Sequence, residues 1–458
     1  MPFPVARKVL DGWGRFCPRP CDVARPEDQD NLLAWLDDAA RRPFLARGLG
    51  RSYGDAAVLD AGTVLDMTRL NRMLGFDPGT GVLECEGGVS FAEILDVFLP
   101  RGFLLPVTPG TRFVTVAGAV AQDVHGKNHH RDGTLSRHVA SLRLWTPAHG
   151  LRTCSPEEHP DLFWATVGGA GLTGIILSVR LRLRPVESAY VRADIQRCSH
   201  LDQALEAMAA SDRDYRYSVA WIDGLASGRS LGRSVLMRAN DAGRADLPSQ
   251  LADAPYRLPR RRPVTVPFDF PGWLLAPRNL RLFNAWFYAR NRDRRAALVD
   301  VGEYFYPLDR IDRWNRMYGK RGFIQYQALF PFTERAGLVR MLETLAREQR
   351  ASFLAVLKCF GDAGPGLLSY PMPGYTLALD LPNRPGLEAF TRALDRILLD
   401  HGGRLYLAKD AVTEPATWAA MYPKREAFLA IRRDVDPRGI LRSNLSRRLR
   451  LDPDAEEP

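Results

Sequence analysis

The chain has 458 residues, 46% of them hydrophobic and 25% charged, with a formal net charge of +10. That balance excludes collagen-like, disordered and mini-protein classes. It predicts a globular protein of two or three domains whose core needs no disulfide or metal staple. No uncharged apolar stretch reaches the roughly 18 residues of a membrane span.

The segment Met1-Pro2-Phe3-Pro4-Val5-Ala6-Arg7-Lys8 lacks the apolar core of a signal peptide, which predicts a cytoplasmic start and leaves later export open. Residues 27–42 read as an amphipathic helix, with Leu32, Leu33, Trp35, Leu36 and Ala39 near one face. Phe44-Leu45-Ala46 is a short strand running into a glycine-rich turn, Arg47-Gly48-Leu49-Gly50-Arg51-Ser52-Tyr53-Gly54-Asp55. Strands follow at 63–66 and 81–86. Ser90 then caps a helix that runs to Phe98, and strands alternate at 139–145 and 174–184. Beyond about 190 the character changes. Residues 254–298 are rich in arginine, proline and aromatics, including Arg260-Arg261-Arg262-Pro263 and Phe268-Asp269-Phe270-Pro271-Gly272-Trp273-Leu274-Leu275. Strands are expected at 323–330, 353–360 and 375–381, and helices at 333–349, 386–401 and 415–432. These shifts place a domain boundary near 188 and a return near 404.

The six cysteines (17, 21, 85, 154, 198, 359) are scattered, so reduced thiols are expected and no metal is. Of the 63 basic residues only Lys8, Lys127, Lys320, Lys358, Lys409 and Lys424 are lysines. In an arginine-biased chain a lysine is informative, because burial tunes its pKa as it cannot tune that of arginine. A basic balance favours anionic partners. No nucleic-acid-binding pattern accompanies it, so nucleic acid is not among them.

Four segments carry chemistry together. The turn at 47–55 has glycines that let backbone approach a ligand closely, without a Walker lysine or a long GxGxxG helix. The others are Pro106–Val120, Asp123-Val124-His125-Gly126-Lys127-Asn128-His129-His130, and Gly168-Gly169-Ala170-Gly171-Leu172-Thr173-Gly174-Ile175-Ile176. The set resembles the flavin domain of the vanillyl-alcohol oxidase (p-cresol methylhydroxylase) superfamily. The resemblance implies an α+β fold: a two-subdomain FAD-binding domain plus a substrate domain built on an antiparallel sheet with helices. On that reading residues 1–188 bind FAD, 189–403 bind substrate and 404–458 return to the first domain. The cofactor residues it implies are Gly48, Gly50, Arg51, Ser52, Tyr53 and Gly54 at the pyrophosphate turn. Gly110, Thr111, Thr115, Ala117, Gly118, Gln122 and His125 follow on a second wall, with Gly171, Gly174, Ile176 and Tyr406 beyond them.

Further motifs narrow the resemblance to the decaprenylphosphoryl-β-D-ribose 2′-oxidase family. They are Pro109-Gly110-Thr111-Arg112, Leu162-Phe163-Trp164, Gln325-Tyr326-Gln327, Gly402-Gly403-Arg404-Leu405-Tyr406 and Ala408-Lys409-Asp410. That family oxidises the ribose 2′-hydroxyl of a polyprenyl-phosphate sugar with FAD, and a short-chain NAD(P)H-dependent reductase then completes the epimerisation towards arabinan. Arg51 stands where several superfamily members carry a flavin-linking histidine, so non-covalent FAD is expected.

Alcohol oxidation on a flavin needs a group to take the hydroxyl proton. Lys409 is the first candidate, with Tyr53 and His125 in the proton path. Lys127 and Lys358 are candidates for holding sugar or phosphate, and Tyr306, Gln325 and Gln327 for lining the sugar pocket. Thr376 and Ala378 replace the family's asparagine and cysteine, which alters the pocket shape. Trp221 reads equally as core and as pocket wall. The aromatic and basic residues of 254–298, among them Phe270, Trp273, Phe283, Trp286 and Phe287, suit peripheral contact with a membrane. Rival readings are an aldonolactone oxidase and a non-catalytic flavin- or phospholipid-binding protein.

Overall fold

The computed structural model describes residues 3–38, 42–259, 261–350 and 353–453. Residues 39–41, the end of the first predicted helix, lie outside them, as does Arg260. The architecture is α+β. A four-stranded sheet is built from Val5–Leu10, Arg19–Ala24, Thr63–Asp66 and Phe44–Arg47, in that order. Its first pairing, a hairpin, is antiparallel and the other two are parallel. A second sheet of five antiparallel strands holds Val82–Glu86, Ile175–Arg182 and Val139–Thr146 at its centre.

The third sheet has eight strands. Its order is Arg294–Asp300, Tyr190–Cys198, Ser234–Asp241, Tyr217–Ile222, Ala355–Phe360, Gly374–Pro382, Phe323–Pro331 and Arg404–Leu405, with antiparallel neighbours throughout. Side chains alternate across such a sheet. One face sends Ile324, Tyr326, Ala328, Leu357, Leu377 and Leu379 into a core shared with the helices Leu201–Ala210, Arg335–Glu348 and Leu387–Asp400. Those helices are apolar along one stripe, where Leu338, Met341, Leu342 and Leu345 are buried. The opposite face carries Gln325, Gln327, Ala378, Val356, Lys358 and Trp221, and it looks into a cavity.

Ser90 caps the helix Phe91–Phe98 with a full capping box, Ser90 and Glu93 each bonding the other's backbone N–H. The single helix expected at 415–432 is two, Pro415–Met421 and Arg425–Val435. Pro423 lacks a donor and pushes Tyr422 out of the helical region, to φ −123 and ψ 87. Among the described residues no helix is long and apolar enough to cross a membrane.

Candidate active site

One cavity of about 1350 Å³ runs between the three sheets. Its first half is made of backbone. The turn at 47–55 leaves the parallel strand Phe44–Arg47 and bends at Gly50, where φ is +63. A side chain at Gly50 would strike the Arg47 guanidinium, which donates to the carbonyls of Ala57 and Asp11. A Cβ at Gly48 would sit 2.2 Å from Thr115 Oγ1, so the two glycine-bearing segments touch. Thr115 caps the short helix Val116–Ala121, accepting from the Gly118 N–H. Gly110 and Gly171 face open space, and both line the cavity with Gly174 and Ile176.

Two distant segments clamp this turn. Trp13 N–H donates to the Ser52 carbonyl at 2.8 Å, and Tyr53 N–H donates to Ala408 at 3.0 Å. The Arg51 guanidinium lies 4.0 Å from the Trp13 ring centre, and its Nε donates to the Phe113 carbonyl. Burial pushes its pKa down, against the opposing pull of Asp309. Gly54 faces away from the cavity: a Cβ there would meet the Asp410 carbonyl at 2.0 Å, so this glycine lets the Lys409 loop close on the turn. Arg448 forks onto Asp55 at 2.8 and 2.9 Å and lies 2.9 Å from Asp410, fastening turn and loop together.

The second half is made of side chains. Lys409 Nζ lies 3.9 Å from the centre of the Tyr53 ring. Burial pulls its pKa down to about 7, with Asp380 opposing and Lys358 reinforcing the shift. Asp380 is pushed up to about 7 by burial, although Gln325 donates to it at 2.5 Å and Tyr318 at 3.1 Å. Lys358 is lowered to about 8 by burial. Lys127 is lowered to about 7 by burial and by Lys358. It donates to the Tyr304 carbonyl and stacks 4.4 Å from that ring. Thus three of the six lysines converge on one cavity.

His125 is walled by Phe360, Tyr370 and Tyr406 at 4.7, 5.7 and 5.0 Å. Gln327 Nε2 lies 3.0 Å from its Nε2, and burial holds its pKa well below the usual value. With the Gln327 amide donating, Nδ1 carries the proton, the tautomer assigned from this contact. Nδ1 has no hydrogen-bond partner among the described residues, and neither has the buried Oε1 of Gln122. Tyr406 donates to the Gln122 carbonyl at 2.7 Å. Unspent buried polar atoms beside a glycine cradle with open space fit a bound polar cofactor.

The expected cofactor residues thus line the cavity except Gly54, and the expected substrate residues line it except Tyr306 and Thr376. Tyr306 stands behind the wall, its hydroxyl 2.6 Å from Thr108 Oγ1. Thr376 is wholly buried, held by Gln327 and the Tyr370 hydroxyl. Trp221 is both core and wall: it is buried, lines the cavity, and donates to the Phe353 carbonyl at 2.9 Å. Asp380, Tyr318, Trp13 and Arg448 were not singled out by sequence. Nothing local marks them; only the pairing of Gln325 with Asp380 across two strands brings that carboxyl in. The 254–298 stretch divides. Leu274, Leu275, Phe283 and Phe287 line the cavity, while Trp273 and Trp286 are 66% and 53% exposed.

An FAD-binding domain family matches residues 20–155, and the D-arabinono-1,4-lactone oxidase family matches residues 379–449. The chain is 39% identical to decaprenylphosphoryl-beta-D-ribose oxidase of Mycolicibacterium smegmatis, over 98% of this chain and 99% of that one. It belongs to the decaprenylphosphoryl-β-D-ribose oxidase family. L-gulono-1,4-lactone dehydrogenase of Mycobacterium tuberculosis is similar at 24% identity, over 96% of this chain and 99% of that one. Cytokinin dehydrogenase 6 of rice (Oryza sativa subsp. japonica) matches at 30% identity over 31% of this chain and 28% of its own. Like its family, the chain is an FAD-dependent oxidoreductase with the p-cresol methylhydroxylase type of flavin domain.

Proposed function

We propose that this oxidoreductase converts the 2′-hydroxyl of a polyprenylphosphoryl-β-D-ribose into the 2′-ketone. This is the first half of an epimerisation that leads to an arabinose donor for cell-wall arabinan. The observation that carries the reading is the meeting of Lys127, Lys358 and Lys409 in the cavity of a chain similar end to end to a decaprenylphosphoryl-ribose oxidase. FAD held by the glycine turns at 48–54, 110–118 and 171–176 would supply the acceptor for the hydride of the carbinol carbon. The protein handles the rest. Lys409, its pKa pulled down by burial, accepts the hydroxyl proton, and Asp380 supplies the countercharge. Gln325 and Gln327 orient the sugar hydroxyls, and Lys127 and Lys358 hold the phosphate. His125 offers its Nδ1–H to an acceptor in the cavity.

In this reading FAD is bound non-covalently, since a guanidinium at position 51 cannot form a histidyl link and instead stacks on Trp13. A short-chain NAD(P)H-dependent reductase consumes the ketone, and Trp273 and Trp286 make peripheral contact with a membrane. The test is the absorption spectrum of purified protein before and after anaerobic farnesylphosphoryl-ribose. Bleached flavin bands are expected, with all flavin released into the supernatant on acid precipitation. Bands that persist with the ribosyl lipid but bleach with an aldonolactone would overturn the substrate. The match of residues 379–449 to a lactone-oxidase family favours that as the second reading.

A further inference from the structure

The cavity face of the eight-stranded sheet continues beyond the catalytic groups, and its character changes along the way. Gln327 pairs with Ala378, Ala378 with Val356, and Val356 with Trp221. On the next strands Val219 pairs with Met237, Met237 with Ile195, and Ala193 with Ala297. All of these line the same cavity. Lys358, two residues from Val356 on the same strand, is the charged side chain at the near end of this line. From Val356 to Ala297 the floor is apolar across four strand spacings, about 19 Å at the usual 4.8 Å per strand. Phe283 and Phe287 of the helix Pro277–Arg290 form the roof, which meets the floor where the Phe287 ring packs on Trp221 at 4.6 Å, so the open path is the one lined by Val219, Met237 and Ile195. Arg290 and Arg294 line the far end.

A ribose cannot use such an extension, and water in it would find few polar partners. Resting on the function proposed above, we infer that this channel holds the first isoprene units of the substrate's polyprenyl tail. The tail lies across the sheet beneath the helix Pro277–Arg290, and does not leave directly at the exposed face of Trp273 and Trp286. The order of side chains matches the order of groups in the lipid: glutamines and Lys409 for sugar, Lys358 for phosphate, Val356 to Ala297 for hydrocarbon. Substrate length is therefore sensed inside the protein and only over the stretch the channel spans.

Two measurements test this. In the first, kcat and KM are measured with geranyl-, farnesyl- and decaprenylphosphoryl-ribose in detergent, for the wild type and Met237→Trp. Met237 is half-buried at mid-channel. KM is expected to fall from geranyl to farnesyl and then level off. Met237→Trp should raise KM for the two longer lipids at least tenfold and for the geranyl compound by less, with flavin content unchanged. An equal rise for all three lipids, or none, overturns the channel. In the second, a farnesyl phosphate with a photoreactive terminal group is crosslinked to the holoenzyme. Labelling of 190–198, 217–222 or 234–241 is expected, and labelling confined to Trp273 and Trp286 overturns it. Crosslinking does not depend on turnover. A channel label without oxidation of any ribosyl lipid would leave the channel standing and remove the proposed reaction.

Discussion

The two halves of the cavity are built on opposite principles. The half made by 48–54, 110–118 and 171–176 is closely approaching backbone, with glycine at 48 and 50 where a Cβ would collide with the Thr115 and Arg47 side chains and at 50 and 171 where φ turns positive. The half made by the eight-stranded sheet is side chain against side chain. Ionisable groups are held there away from water and shifted towards neutrality: Lys409 and Asp380 both to about 7, Lys127 to about 7 and Lys358 to about 8. The first half excludes other shapes; the second tunes protons. A substitution in the first should therefore cost binding of the cofactor, and one in the second should cost turnover while the cofactor stays.

The sharpest separation is expected at Lys409. Replacing it with methionine removes the proton acceptor, and kcat should fall by about 10²–10⁴-fold while the visible flavin spectrum is kept. Stopped-flow reduction measures the loss; a fall below tenfold would take Lys409 out of the proton transfer. Gly48→Val is the mirror experiment. Its side chain enters the space of Thr115 Oγ1, 2.2 Å from an added Cβ, so the protein should purify colourless with a far-UV spectrum like that of the wild type. Retained flavin in that variant would mean that the turn yields.

Smaller effects probe the joint between the halves. Arg448→Met leaves Asp55 and Asp410 facing each other without their shared cation, at a cost of about 3 kcal/mol, seen as a lowered unfolding midpoint and weakened FAD retention. The pH profile tests the buried pair. Lys409 loses its proton as pH rises through about 7, so kcat/KM should climb on an acidic limb near there and flatten above it. The negative charge of Asp380 raises the lysine's pKa, so Asp380→Asn should move that limb to lower pH. A limb that does not move would separate the two groups. Ala378→Cys, which restores the family's thiol on the half-buried cavity face, should change turnover by no more than about twofold, since no step above uses that position.

The same contrast explains what could be read from sequence. The glycine-rich turns are contiguous, so their residue types announce their geometry, and Gly48, Gly110, Thr115 and Gly171 line the cavity. The strands read at 323–330 and 375–381 are found at Phe323–Pro331 and Gly374–Pro382. Which cross-strand neighbour each residue meets was not legible, because register is fixed by the whole sheet. Asp380 was missed for that reason, and Thr376 was placed in the pocket although it turns to Gln327 and Tyr370 behind it. The helix pair at 415–435 was read as one because its apolar period survives Pro423 while its hydrogen bonding does not.

The Arg448 fork has a consequence for biogenesis. Asp55 and Arg448 are 393 residues apart, and the Ala408 carbonyl that pins Tyr53 is also far downstream. While the ribosome is still making the intervening segments, the turn at 47–55 has neither fastening. Contacts of such sequence separation close late. Flavin loading is then an event of the finished chain, because both fastenings of the turn come from residues beyond 407.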